Sequence, residues 1–347
     1  MIAKDEEKYI EECLKRLLPY GMEIIVTDTG STDRTKEIAA RYADKVLDFE
    51  WNNDFSAARN FCASHASNNW ILVLDCDEYV EKLDVRLMRI GMQRYSKRIG
   101  KLHLKNLAKR NNGADGYVYH DILRFYNKNY YEFVHPIHEN LERKESVKGA
   151  IPEEEYFLLP IEAVHHGYNL SPEDMMKKQK RNVDMLRASL EVERGTDREP
   201  YIYYQLGQSY QVIGDIDASI EYYNKALDME DNVRLEYIQT CITQLATAYA
   251  QKDDRQSALD VMEKYNGRID TADFVYTYGL ALLGVGEYLK ALMQFVIVTT
   301  RDDKESLGEE LLFCYRQILQ LYDRFGQHEL AKPFAEQYEY YQKSASL

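Results

Sequence analysis

The 347-residue sequence predicts an α/β domain followed by an all-α array of helical repeats. Three observations carry that expectation. Short apolar runs ending in acids or glycine alternate with helical patterns through the first half of the chain. A strong helix start stands at Ser171-Pro172-Glu173-Asp174, with serine as N-cap and proline at the first helical position. From Pro200 onward, aromatic and small residues recur at the spacing of paired helices. The length suits two domains, and 45% hydrophobic content is enough to build real cores.

The first element with chemistry is Glu-Ile-Ile-Val-Thr-Asp-Thr-Gly-Ser-Thr-Asp-Arg-Thr at 23–35, a strand ending in Asp28, a glycine and small hydroxyl residues. A helix follows from about Asp33 to Tyr42, capped by Ser31 or Asp33. A carboxylate such as Asp28 disfavours phosphate but can accept the imide N–H of a uracil ring or a ribose hydroxyl. The plainer alternative is an Asx turn into the helix. Next, a short strand at Val46–Phe49 leads through Trp51-Asn52-Asn53-Asp54 into a helix beginning Phe55-Ser56-Ala57-Ala58-Arg59-Asn60. Its small residues permit close packing. Arg59 lies one turn inside, where a guanidinium can reach a diphosphate with a forked pair of donors; otherwise it is a surface arginine.

The run Trp70-Ile71-Leu72-Val73-Leu74-Asp75-Cys76-Asp77-Glu78 is the most informative stretch. Five apolar residues and then two carboxylates one residue apart describe a buried parallel strand delivering acids to a sheet edge, where ligands bind. Such a pair can hold a hard divalent cation, and the cation can hold a diphosphate. The spacing alone is weak, as the sequence itself demonstrates. Asp215-Ile216-Asp217 has the same spacing but follows Gly214 between two helical patterns, so it reads as a helix-capping turn.

Taken together, Asp-Thr-Gly-Ser-Thr-Asp-Arg-Thr, Asp-Phe-Ser-Ala-Ala-Arg-Asn and Leu-Asp-Cys-Asp-Glu, in this order and spacing, resemble family 2 glycosyltransferases of the Rossmann-like GT-A fold. The resemblance implies a nucleotide-sugar donor, a UDP-sugar foremost, a Mg²⁺ or Mn²⁺ ion bound through the Asp-x-Asp motif, and inversion at the anomeric centre. It implies that Asp28 contacts the nucleoside, that Arg59 lies near the donor phosphates, and that Asp75 and Asp77 serve the ribose and the metal, Asp77 as the more direct ligand.

A second block, Val134-His135-Pro136-Ile137-His138-Glu139 and Val164-His165-His166-Gly167-Tyr168-Asn169, resembles bacterial members with a helical-repeat tail. These include the peptide S-glycosyltransferases that modify sublancin-type bacteriocins. The resemblance places a late histidine ligand of the metal at His165, with His166 as its neighbour. His138-Glu139 offers a base for the acceptor nucleophile; Glu139 is the expected base, with Asp121 and His138 as rivals. A zinc hydrolase built from His135, His138 and His165 is conceivable on ligand type. Pro136 inside the His-x-x-His and the absence of helical zinc spacing speak against it. The chain departs from the family at its start, where only Met1-Ile2-Ala3 precedes Lys4-Asp5-Glu6-Glu7. A truncated first strand is therefore expected, with consequences for donor affinity and stability.

Composition bounds the partners. A formal net charge of −14 disfavours nucleic acid and anionic membranes, and no apolar stretch approaches a membrane span. Five cysteines without a Cys-x-x-Cys pairing suit a reduced, cytoplasmic protein, and Cys76 is expected to pack rather than react.

The expected domains are a GT-A domain over 1–170, a connecting helix over 171–198 and tetratricopeptide-like repeats over 199–347. In the repeats, Ser219, Ala258, Ala291 and Ala331 are equivalent small positions. Stacked helix pairs form a curved surface suited to a peptide, a protein or another subunit. Tyr201, Tyr203, Tyr204, Tyr222 and Tyr223 either line it or fill the repeat core. The resemblance adds a homodimer as a further expectation.

The leading functional expectation is transfer of a sugar to a serine, threonine or cysteine side chain of a peptide or protein. The alternatives are transfer to a cell-surface glycan or lipid-linked acceptor, and an inactive transferase serving as a repeat scaffold.

Overall fold

The computed structural model describes residues 1–109, 115–147, 156–166 and 171–344. The chain divides into two compact units, Met1–Met175 and Met176–Leu347. The Gly167-Tyr168-Asn169 end of the second histidine segment lies outside the described residues.

The first unit opens with β1 (Ile2–Ala3), α1 (Ile10–Leu17), β2 (Ile25–Asp28), α2 (Thr35–Ala39) and β3 (Lys45–Asp48). Ile10, Cys13, Leu14 and Leu17 place the apolar face of α1 in the core at helical spacing. β2 is buried along its whole length, as suits a strand flanked on both sides, and it pairs in parallel with β1 and β3. β1 contributes two pairings, Ile2 with Thr27 and Ala3 with Asp28. The Met1 ammonium donates to the Ile25 carbonyl at 3.1 Å.

α3 (Phe55–Ser64) begins where the Asp54 carboxylate accepts from the Ala57 N–H at 2.8 Å. Then come β4 (Trp70–Leu72), β5 (Glu78–Leu83), α4 (Val85–Arg94), β6 (Ile99–Lys109), β7 (Asp115–Asn127), β8 (Tyr131–Val134), β9 (Asn140–Arg143), β10 (Tyr156–Leu158) and β11 (Ile161–His165). A second sheet has the order β4-β7-β6-β11-β5, with β10 also paired to β6, while β8 and β9 form a ribbon of their own.

The run at 70–74 departs from expectation. Its strand is three residues long and half-buried, and it pairs antiparallel with β7, Trp70 opposite Asn127 and Leu72 opposite Phe125. An apolar run states that a strand is covered but not which neighbour pairs with it, and here Phe125 and Tyr126 of β7 supply that neighbour. A cavity of about 490 Å³ lies between the two sheets, lined by Ile24 and Ile25 on one side and Trp70, Leu72 and Phe125 on the other. It is apolar in character and touches only Arg59 among the expected site residues.

The second unit holds most of α5 (Pro172–Glu193), then α6 (Glu199–Ile213), α7 (Ile216–Met229), α8 (Glu236–Gln251), α9 (Arg255–Tyr265), α10 (Ala272–Gly284), α11 (Tyr288–Thr299), α12 (Glu309–Arg324) and α13 (His328–Ser344). Ser171 Oγ accepts from the Asp174 N–H at 3.1 Å and so caps α5. Consecutive helices from α6 onward pack as four hairpins around one continuous core. Gly214, at a φ of 89°, ends α6, and Asp215 caps α7 by accepting from Ala218 N–H at 3.1 Å. That Asp-x-Asp is thus the capping turn its context indicated. Tyr223 and Tyr204 are core residues, and Tyr201 and Tyr203 pack against that core.

The hairpins close tightly where glycine faces an aromatic ring. A Cβ at Gly279 would lie 2.6 Å from Phe295, and one at Gly207 2.5 Å from Tyr223. Gly279→Ala is therefore expected to destabilise the repeats by about 1–3 kcal/mol despite alanine's better helix propensity. Urea unfolding followed by circular dichroism should show it. Tryptophan fluorescence should not, because Trp51 and Trp70 both lie in the first unit. An unchanged dichroism midpoint would mean that the Phe295 ring moves aside without cost. Among the described residues, no helix is long and apolar enough to cross a membrane.

Candidate active site

Asp75, Cys76 and Asp77 occupy the tight turn between β4 and β5, closed by Glu78 N–H donating to the Asp75 carbonyl at 3.1 Å. The two carboxylates part company there. Asp77 Oδ2 lies 3.1 Å from His165 Nε2, because β11 runs beside β5 with His165 opposite Glu78. Asp75 turns the other way, its Oδ1 accepting from Arg59 Nη2 at 3.0 Å and its Oδ2 from Arg124 Nη2 at 2.9 Å. Cys76 points into the core, as its expected packing role required, and burial pushes its thiol well above the ordinary range.

The arginines explain the split. Arg59 is 8% exposed and also donates from Nε to Glu139 Oε1 at 2.7 Å, while Arg124 Nη2 donates to Glu78 Oε1 at 3.1 Å. Glu78 is 2% exposed, and its other oxygen accepts from the Asp75 N–H at 2.9 Å. Buried guanidinium groups must be paired, and Asp75 serves both. Burial opposes its charge, yet Arg124 and Arg59 hold its carboxyl far below the usual range, while burial raises that of Glu78. Asp75 was expected among the metal ligands; both its oxygens instead serve this network. The forked donors of Arg59, expected to meet phosphate, likewise meet carboxylates here. Its Nη1 is buried without a hydrogen-bond partner.

Around Asp77 the charge is negative. The Glu6 carboxyl is pushed up to about 7 by burial and then by Asp77, Asp75, Asp33 and Asp5. His165 is held above its usual range: burial opposes the charged ring, and Asp77, Glu78 and Asp75 overcome it. Asp77 and His165 thus meet each other at the ends of β5 and β11, apart from the arginine network around Asp75. Among the described residues no cluster of three or more His, Cys, Asp or Glu side chains gathers as a metal site, so the hypothetical His135–His138–His165 zinc centre is not assembled. His166 faces elsewhere, its ring 4.3 Å from that of Tyr79.

Asp28 ends β2 at 4% exposure. Its Oδ1 accepts from the Gly30 and Ser31 N–H groups, each at 3.0 Å, which is the Asx turn. Its Oδ2 is buried with no hydrogen-bond partner. The structure therefore contains the Asx turn that the sequence also allowed.

His138 and Glu139 lie in the loop joining β8 to β9, where His135 and His138 adopt left-handed backbone at φ 73° and 51°. Strain of this kind concentrates at functional sites. The loop is anchored by Phe55 N–H donating to the Pro136 carbonyl at 2.9 Å, and Asn60 completes the edge of β8 with bonds to both backbone groups of Phe133. Asp121, the rival base, is not brought to this site. It pairs with His103 at 2.7 Å and Lys101 at 3.3 Å, while the alternate residues Leu102, Leu104 and Asn106 face the opposite, buried side of the sheet.

Sequence reasoning missed Arg124, Glu78, Glu6 and Asn106. A charged residue inside an apolar strand, as in Ile122-Leu123-Arg124-Phe125, was the available signal for Arg124.

Comparison with known proteins bears on the site. Residues 1–99 match the family described as Glycosyl transferase family 2. The SPbeta prophage-derived glycosyltransferase SunS of Bacillus subtilis is 24% identical over 328 residues, covering 92% of this chain and 74% of that protein. A TPR repeat-containing protein of Synechococcus elongatus is 47% identical over 78 residues, which are 22% of this chain and 19% of that one. The chain thus spans about a fifth of the repeat protein and about three quarters of SunS. Among solved structures, that of MamA covers 51% of this chain and 99% of its own at 20% identity and a TM-score of 0.39. The start of the first unit, residues 1–99, is thus similar to glycosyltransferases of family 2, and a stretch of 78 residues is similar to a TPR repeat-containing protein, in keeping with the helical hairpins of α6 to α13.

Proposed function

We propose that this chain transfers a sugar from a nucleotide-sugar, a UDP-sugar foremost, to a serine, threonine or cysteine side chain of a peptide or protein, with inversion at the anomeric carbon. The observation that carries the reading is the Asp77–His165 pair, a carboxylate oxygen and an imidazole nitrogen 3.1 Å apart at the end of a sheet. That spacing, about 3 Å, is what neighbouring ligands on one small octahedral cation keep. A carboxylate with an imidazole fits Mn²⁺ better than Mg²⁺, which prefers oxygen ligands, and the remaining positions suit water and phosphate oxygens. A cation there would neutralise the departing nucleoside diphosphate.

The chain's own residues supply the rest. Asp28 Oδ2, buried and unpartnered, accepts from the base or ribose. Arg59 Nη1, likewise unpartnered, is the donor left for the diphosphate, while the rest of its fork orients Asp75 and Glu139. Glu139 is the proposed base for the acceptor, with His138 beside it in the same strained loop. The repeats hold the acceptor or a second copy of the chain, and the resemblance of the two histidine segments to bacterial peptide glycosyltransferases with a helical-repeat tail favours a peptide acceptor over a surface glycan or lipid-linked sugar. The five cysteines, all free and buried, suit the cytoplasm.

Thermal unfolding with UDP and GDP, each with and without Mn²⁺ or Mg²⁺, tests the donor site. A ligand at a hundredfold its Kd stabilises by about 2.7 kcal/mol. The expected result is a shift that requires both UDP and the cation. No shift with either nucleotide would leave the repeats as the working part of the molecule. New hexose on cellular peptides, rather than an altered surface polysaccharide, is the expected acceptor result.

A further inference from the structure

Asn106 lies on β6 opposite His165 of β11 and is 3% exposed. Its Oδ1 is 2.8 Å from His165 Nδ1, and its Nδ2 is 2.8 Å from His120 Nδ1 on β7. An amide oxygen accepts and an amide nitrogen donates. In this arrangement His165 carries a proton on Nδ1; with no cation bound, Nε2 is protonated too and donates to Asp77 Oδ2, and a cation would take that proton's place on Nε2. With the amide so placed, His120 Nδ1 accepts from Nδ2 and holds its own proton on Nε2.

We propose that Asn106 is a positioning residue, which with His120 behind it fixes the tautomer and ring orientation of His165 so that Nε2 is presented as a ligand for the divalent cation. The proposal rests on Asp77 and His165 being the cation pair. A histidine free to rotate or to move its proton would offer Nε2–H to the ion half the time or more; a buried acceptor on Nδ1 prevents that. Partners of this kind are worth about 10–100-fold in metal affinity. A purely structural asparagine would influence folding without acting selectively on the metal.

The test titrates Mn²⁺ into the full chain in the presence of UDP, reading free Mn²⁺ by electron paramagnetic resonance. Asn106→Leu, which removes the acceptor, is expected to weaken Mn²⁺ binding about 10–100-fold. Asn106→Asp, which restores an acceptor, should recover binding to within about threefold. His120→Ala, at an exposed position, should weaken it severalfold by freeing the amide, and it carries the test if Asn106→Leu does not fold. Imidazole nitrogen spectra of the Mg²⁺–UDP-saturated protein should show the Nδ1–H form of His165 in the wild type. Wild-type Mn²⁺ affinity in both Asn106→Leu and His120→Ala, with binding abolished in Asp77→Ala, would overturn the role of Asn106 while leaving the cation pair standing. Binding unaffected by Asp77→Ala would instead remove the cation pair itself, and the proposal with it.

Discussion

Asp77→Ala is expected to abolish the cation-dependent stabilisation by UDP and to lower sugar transfer by about 10²-fold or more, the cost of removing one preorganised electrostatic group from a transition state. The fold should survive. Asp77 sits in a turn rather than in the core, and it and the Glu6 carboxyl repel each other. The loss of its contact with His165 is offset by relief of that crowding. In the variant the Glu6 carboxyl should fall back from about 7 toward the ordinary range, because Asp77 is the largest charge raising it after burial itself. A nucleotide titration by thermal shift, a transfer assay and tryptophan fluorescence in urea together check these points. Wild-type turnover in Asp77→Ala would falsify the metal assignment.

Arg124→Leu is expected to act on stability instead, costing the first unit about 3–5 kcal/mol, the range for removing one member of a buried charge network. Arg124 holds Asp75 Oδ2 and Glu78 Oε1 together, and Glu78 has almost no access to water. The midpoint of urea unfolding read by Trp51 and Trp70 should drop accordingly. The pH dependence has a definite sign. Arg124 and Arg59, against the effect of burial, depress the Asp75 pKa in the folded state. Its contribution is therefore complete above the unfolded value of about 4 and is lost as pH falls through the folded value below it. The gap between wild type and Arg124→Leu should be largest above about pH 4 and narrow in stronger acid. A gap that widened on acidification would show that Asp75 is not the charge Arg124 stabilises.

Much of the architecture was legible because its determinants are local. Ser171, Asp54 and Asp215 each cap a helix through an N–H a few residues away, and Gly214 supplies the left-handed turn between two helices. Helical periodicity brought the repeat core together, since Ser219, Ala258 and Ala291 are buried where paired helices meet. The strand end at Asp28 was likewise visible as a short motif, whereas the late histidine was placed only by resemblance and the turn carrying Asp75 and Asp77 was expected as the end of a longer, parallel strand.

Decisions that depend on strand pairing were not visible. The partner of β4, its antiparallel sense and its early end at Leu72 come from β7, which lies some fifty residues further along the chain. Shifting a strand by one residue exchanges its two faces, so no local pattern reveals that Asp121 points away from the site while Asn106, on the strand opposite, points into it. The same register hands Asp75 to two arginines and leaves Asp77 to His165. By itself the sequence determined the order of elements and the acids, arginine and histidine that the motifs supply. Only the tertiary structure decided which carboxylate neutralises buried arginine and which meets the imidazole, because that choice is made by the burial of guanidinium groups brought from distant strands and helices, whose charge must be matched wherever the fold places them.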